Sequence, residues 1–168
     1  MAPFLDENSL KTLMSSFVLS RLDYCNSLLI NLPVELIEKL QKMQNHAARV
    51  VLKTSRREHV TPMLVRLHWL PVKSRIQYKT AVLCYKCYNK IAPSYMCELV
   101  SEYIPTRDLR SRYKKLMNTK KGKYVRFGSR AFSNAAPYLW KSLPQSLRNA
   151  TTLTQFKTGL KTYLFQSM

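Results

Sequence analysis

Carboxylates are the first residues to look for, because polymerases, nucleases and phosphatases hold divalent metals by converging two or three anionic oxygens on each ion. This sequence offers little to converge. Its aspartates are Asp6, Asp23 and Asp108, no two of them adjacent, and the pairs Glu35/Glu38 and Glu98/Glu102 read as solvated helix faces. Nucleophilic hydrolysis is no better supplied, since there is no G-x-S-x-G elbow and no glycine-rich phosphate loop among the three glycines. The imidazoles are His46, His59 and His68. His46 flanks an apolar helical stripe and His68 adjoins Trp69, so packed or boundary histidines explain them better than catalysis.

Cys84 and Cys87 have C-x-x-C spacing. A structural zinc site needs a second ligand pair of similar spacing, and only the isolated Cys25, Cys97 and His68 are available. A redox pair wants a helix N-terminus to lower one thiol's pKa, whereas this pair falls late in a predicted helix. A buried helical pair is the preferred reading. No catalytic residue, metal, cofactor or small-molecule substrate is expected, and the chain is expected not to be an enzyme.

The charge points elsewhere. Over 168 residues, 28 Lys+Arg face 9 Asp+Glu, a net +19 that exceeds anything solubility requires. Residues 1–50 carry five bases and five acids, residues 51–100 nine and two, and residues 101–168 fourteen and two. Within 107–130 there are ten bases, Arg107, Arg110, Arg112, Lys114, Lys115, Lys120, Lys121, Lys123, Arg126 and Arg130, against the single acid Asp108. A merely solvated face mixes signs, so these ten residues are the candidate contacts to a polyanion.

The elements that must carry this charge are helical. Leu10, Leu13, Met14, Phe17, Val18, Tyr24, Cys25 and Leu28 recur at three- and four-residue steps, predicting a long helix with Asn8 or Ser9 as N-cap that ends before Pro33. A second, about 33–53, places Leu36, Leu40, Met43, Ala47, Val50 and Val51 on one face, with Glu35/Lys39 and Glu38/Lys42 as i,i+4 pairs. Thr61-Pro62 opens a short helix that Pro71 closes. A longer one over about 72–90 is apolar on two sides, with Val72, Ile76, Leu83 and Cys87 opposite Tyr78, Ala81, Tyr85 and Tyr88. The tyrosines, interleaved with Lys79 and Lys86, suit either stacking on unpaired bases or packing between two layers; packing is preferred.

After Pro93 a short helix carries Tyr95, Met96, Leu99 and Val100. Regularity then fades through 103–128, where Lys121-Gly122 can turn a small β-hairpin pairing about 115–118 with 123–127. Pro137 and Pro144 suggest short, broken helices over 129–147. The last helix opens with a capping box, Thr152 to Gln155, and aligns Leu153, Phe156, Leu160 and Leu164. Lys157 and Lys161 beside that stripe also suit a membrane surface, but a docked terminal helix is the simpler reading. No run of about 18 apolar residues exists to span a bilayer. The N-terminal MAPFLDENSL lacks the parts of a signal peptide, so free thiols and an intracellular location, nucleus or cytoplasm, are expected.

From about Ser20 onward the residues resemble the C-terminal part of reverse transcriptases from jockey-like and chicken-repeat-like non-LTR retrotransposons. The resemblance is carried by SRLDYCNSLLINLP (20–33), LQKMQNHAARVV (40–51), HVTPMLVRLHWLPVKSRIQYK (59–79), APSYMCELV (92–100), RDLRS (107–111), FGSRAFSNAAPYLWKSLPQSLR (127–148) and FKTGLKTYLF (156–165). It implies the helical thumb and extension that follow a polymerase palm, with the palm's paired aspartates, the fingers and the endonuclease lying upstream in a fuller element. It further implies that the helix at 33–53 tracks a primer-template duplex and that the basic extension holds template RNA or target DNA.

The expectation is therefore a mainly α fold. A helical thumb-like region (1–100) is followed by a basic extension (101–168), and the two share a core. The function expected is non-catalytic nucleic-acid binding, with an inactive structural remnant as the alternative.

Overall fold

The computed structural model describes residues 5–105, 107, 115–119 and 128–168. Over these the chain is mainly helical, and no strand or sheet occurs among the described residues. The first helix, α1 (Glu7–Met14), starts earlier than Asn8 or Ser9 would place it, because Asp6 in extended backbone accepts a hydrogen bond from the Ser9 amide at 3.3 Å. It runs into a π-helical turn, Ser15–Leu19, and continues as α2 (Ser20–Asp23). Thr12 and Ser16 hydroxyls donate to the carbonyls four residues back, at 3.0 and 2.9 Å, and Ser20 does the same to Ser16. Such back-bonding bends helices and competes with their ladder.

The wider turn changes which residues face inward. Leu10, Met14, Val18 and Leu22 follow one another at steps of four and pack in one cluster with Leu19. Phe17, seven residues from Leu10 and on its face in a regular α-helix, is instead exposed. Nor does the helix reach Pro33. Cys25 adopts left-handed backbone (φ 49°), a 3-10 turn follows at Asn26–Leu29, and Asn31 is left-handed again (φ 57°).

Helix α3 (Val34–Leu52) fills the expected span of about 33–53, with Pro33 as its N-cap rather than in its first turn. Its inner face is rotated from the predicted stripe: Gln44, Ala47, Ala48 and Val51 are buried, while Leu36, Met43 and Val50 are exposed. Two small residues, Ala47 and Ala48, let α1 and α4 (Val60–Leu67) approach closely on this side. Neither Glu35/Lys39 nor Glu38/Lys42 closes an ion pair; those among the described residues are Arg66–Glu7 and Arg75–Asp23. Thr61-Pro62 falls inside the first turn of α4, whose N-cap is His59. A proline is tolerated there because those amides have no intrahelical acceptor.

Helix α5 (Val72–Tyr88) is buried on both predicted sides. Its first amide, Val72 N–H, donates to Gln41 Oε1 at 2.8 Å, and buried Gln44 donates from Nε2 to the Leu70 carbonyl at 2.9 Å. Two glutamines of α3 thus satisfy the polar backbone at the α4–α5 corner. Helices α3, α4 and α5 end with left-handed Lys53, His68 and Lys90, each followed by an amide donating five residues back: Thr54 to Arg49, Trp69 to Leu64, Ile91 to Lys86. This is the Schellman closure, usually made with glycine.

Beyond the short α6 (Ser94–Cys97), residues 101–103 meet 116–118 through an isolated antiparallel bridge between Glu102 and Met117. Residues 123–127, the other half of the expected hairpin, lie outside the described residues. A 3-10 turn at Gly128–Arg130 leads to α7 (Phe132–Ser142), α8 (Gln145–Arg148) and α9 (Leu153–Gln166). Pro144 separates α7 from α8 as expected, but Pro137 does not break α7. Only the Ser133 carbonyl loses its partner to the proline, and the ring itself is fully buried. The Thr152 cap of α9 forms, with Gln155 N–H on Thr152 Oγ1 at 3.2 Å, while Gln155 Oε1 accepts from Thr151 N–H at 3.1 Å, one residue before the position a capping box uses.

One core joins the two halves of the chain. Ala81, Cys84 and Tyr85 of α5 pack with Met117, Trp140 of α7, and Phe156, Leu160 and Leu164 of α9. Tyr85 stacks on Phe156 at 4.6 Å between centroids, and Trp140 lies 5.8 Å from both Phe156 and Tyr88. Phe156→Ala should therefore cost about 3–5 kcal/mol of unfolding free energy in urea titration. Lys90→Gly, which relieves a left-handed side chain without touching the core, should raise stability by about 0.5–1 kcal/mol and increase Tm.

Candidate nucleic-acid interface

The basic stretch is anchored to the bundle at points on either side of its densest part. Lys115, half-buried and left-handed (φ 47°), gives its carbonyl to Trp140 Nε1–H at 2.7 Å. Next to it, Tyr103 N–H donates to the Leu116 carbonyl at 2.9 Å and Asn118 N–H to Ser101 at 2.8 Å. Further on, Asn31 Nδ2 donates to the Ser129 carbonyl at 2.9 Å and Asn134 Nδ2 to Gly128 at 2.6 Å. Of the ten candidate contacts, Arg107 is exposed and Lys115 and Arg130 are half-buried. The other seven, Arg110, Arg112, Lys114, Lys120, Lys121, Lys123 and Arg126, lie outside the described residues.

A second basic surface stands on the helices themselves. The π turn, the corner after α4, α5 and α9 enclose an open cavity of about 490 Å³. A neighbouring one of about 330 Å³ lies over α9 and shares His68, Tyr78 and Lys161 with it. Between them the two are lined by four cations, Arg75, Lys79, Lys157 and Lys161, and one carboxylate, Asp23. Arg75 is already neutralised, since its Nε donates to Asp23 Oδ1 at 2.8 Å and its Nη2 contacts Oδ2. In the lining, Asn26 is buried, donates from Nδ2 to Asp23 Oδ1 at 3.2 Å, and has no donor to its Oδ1 among the described residues.

Sequence alone does not assemble this groove. Tyr78/Lys79 stand out only as part of a tyrosine face, and Lys157/Lys161 as flanks of an apolar stripe. Tyr85 is buried in the aromatic core and both Tyr88 and Tyr78 pack against it half-buried, but Tyr78 also borders the cavity, and burial raises its pKa. The signal that existed was the i,i+4 spacing of Lys157 and Lys161. That α9 would lay this pair beside Lys79 depends on how α5 and α9 pack.

The cysteines bear out the packed reading. Cys84 is fully buried with its Sγ 3.6 Å from the Ala136 carbonyl, and Cys87 is buried. Burial pushes the Cys84 thiol far above its ordinary value and Cys87 up to about 11, the latter reinforced by neighbouring Cys97. Burial, then the hydrogen bond to Glu102, likewise raises Tyr88.

No family model matches the chain, and neither the curated proteins nor the solved structures contain a match to it.

These shifts set a pH dependence. An acid whose pKa is higher folded than unfolded stays protonated in the native state while the unfolded chain ionises. Its stabilising effect is complete below the unfolded value, about 9 for cysteine, and is lost as pH rises through the folded value. Urea midpoints should fall between pH 9 and 11, less steeply in Cys84→Ala. In Ellman titration at pH 8, exposed Cys25 should react at once and Cys84 only on unfolding.

Proposed function

We propose that the chain is a non-catalytic nucleic-acid-binding module, corresponding to the C-terminal thumb and extension of a non-LTR retrotransposon reverse transcriptase. The observation carrying this reading is the charge of 107–130, ten bases against one acid, with Lys115 and Gly128–Ser129 tied to the helical bundle. A tethered cationic segment neutralises successive phosphates and releases their counterions, which gives affinity without base-specific geometry. Template RNA or target DNA is the partner that the resemblance from Ser20 onward suggests, in the nucleus or the cytoplasm. Polymerisation belongs, in this reading, to a palm upstream, and the scattered aspartates here have no part in it.

If about five phosphates are neutralised, log affinity should fall with log salt at a slope of roughly −3.5 on single strands and −4.5 on duplex. Replacing Arg110, Arg112, Lys114, Lys115, Lys120, Lys121 and Lys123 by glutamine should reduce affinity and slope while barely moving Tm, because Lys115, the one of them within the described residues, closes no ion pair there and anchors through its backbone carbonyl, which glutamine keeps. Replacing Lys39, Lys42 and Arg49, in the charge-balanced N-terminal third, should have much less effect. Fluorescence anisotropy across a salt series checks both, and an unchanged slope in the seven-site variant refutes the placement.

A further inference from the structure

We infer that the groove bounded by the π turn, α5 and α9 is a binding site for one unpaired nucleotide of a single strand, with Lys79, Lys157 and Lys161 meeting its phosphates and Tyr78 and His68 flanking its base. The inference rests on the polyanion reading above and adds a second place and a strand type to it.

The charge argument comes first. Among the described residues, Lys79, Lys157 and Lys161 are exposed and close no ion pair, while the one carboxylate lining the groove is spent on Arg75. Lys161 instead holds its ammonium 5.9 Å from the Phe165 ring centre, a weak substitute for an anion. Ammonium groups lining one concavity repel one another, and a phosphate placed among them relieves that repulsion.

Shape and surface chemistry narrow the ligand. The two adjoining spaces, about 490 and 330 Å³, are of the size that small ligands occupy, roughly 300–1,000 Å³, so a base with its sugar and phosphate fits where a rigid duplex does not. Leu19, Trp69 and Leu70 form an apolar part of the lining, and Tyr78 presents an aromatic ring beside Lys79 on the next residue. His68 is fixed at the mouth by the left-handed closure of α4, with its ring edge-on to Phe165 at 6.5 Å. Aromatic groups beside lysines are what a base and its phosphate require together, and base stacking does not demand a particular sequence. Buried Asn26 adds a polar group suited to a base. Its Nδ2 is committed to Asp23, which fixes the amide orientation and leaves Oδ1 as an acceptor whose missing donor a base amine can supply.

The test uses the full chain, a fluorescein-labelled eight-nucleotide single-stranded RNA and a 20-base-pair duplex, read by anisotropy. The variant Lys79→Gln/Lys157→Gln/Lys161→Gln should bind the octamer about tenfold more weakly, with its salt slope reduced by about 2, while duplex affinity changes less than twofold. Tyr78→Ala should weaken octamer binding by about tenfold and leave the salt slope unchanged, since it removes a stacking surface and no charge. Circular dichroism confirms that both variants fold. Octamer binding that survives the triple substitution but is lost in the seven-site variant overturns the groove and leaves the proposed function standing. A parent chain that binds neither probe overturns both. Displacement of the octamer by micromolar adenosine monophosphate also overturns the inference, because the groove then serves a free nucleotide rather than a strand.

Discussion

The structure depends on one helix having to be covered from two sides. Along α5, Val72 and Ile76 on one face and Ala81, Cys84 and Tyr85 on the other are all nearly inaccessible to solvent. An isolated helix with that pattern would expose apolar surface whichever way it turned, so neighbours must be recruited on both sides. Ile30 of the 3-10 turn region and α3 cover the first, and α7 and α9 the second. The polar cost is met at the same corner. Gln41 and Gln44 supply hydrogen bonds to Val72 N–H and the Leu70 carbonyl, groups that α5's own ladder leaves unpaired. The capped and amphipathic α9 has its apolar stripe because α5 presents a surface to receive it.

What was readable in the sequence follows from which signals are local. Pro33, Pro71 and Pro93 each stand immediately before a helix, and Thr152 with Gln155 makes a cap that depends on neighbours in sequence only. The two-sided burial of α5 was equally plain from its residue types. Register was not. The π turn at Ser15–Leu19 inserts extra rotation that no periodicity count anticipates, and it moves Phe17 out while turning Leu19 in. On α3, Ala47 and Val51 of the predicted stripe are buried, but Gln44 and Ala48 join them where Leu36, Met43 and Val50 were expected, because close approach of α1 and α4 suits a small residue at Ala48. Pro137 is tolerated because α7 is held by its buried face, a tertiary effect outweighing local propensity. The groove was illegible for the same reason: its lysines stand more than 70 positions apart and meet only through the α5–α9 packing.

The two basic surfaces differ in chemistry as well as in place. Five of the ten bases within 107–130 are arginines, whose planar guanidinium can grip a phosphate with two parallel hydrogen bonds. In the groove, the arginine is taken by Asp23, and the unpaired cations are lysines, compact charges on flexible stems. Such a site attracts phosphate without dictating its orientation, so positional selectivity there has to come from the aromatic rings and the cavity's shape.

On the proposed reading, such a module would position nucleic acid rather than react with it. Catalysis of phosphoryl transfer needs carboxylates to gather metal ions, and each carboxylate placed in the groove would cancel one of its positive charges. Asp23 shows the compromise: it is accepted at the groove only because Arg75 faces it directly, and the pair joins α2 to α5 across the foot of the cavity. Removing Arg75 would free a carboxylate beside the lysines, so the ion pair sets the groove's sign as well as its shape. The same logic explains why the ends of the basic stretch are held by uncharged donors, Trp140 Nε1 and the amides of Asn31 and Asn134, rather than by acids. Neutral anchors of this kind fix the backbone without adding a carboxylate beside the basic residues.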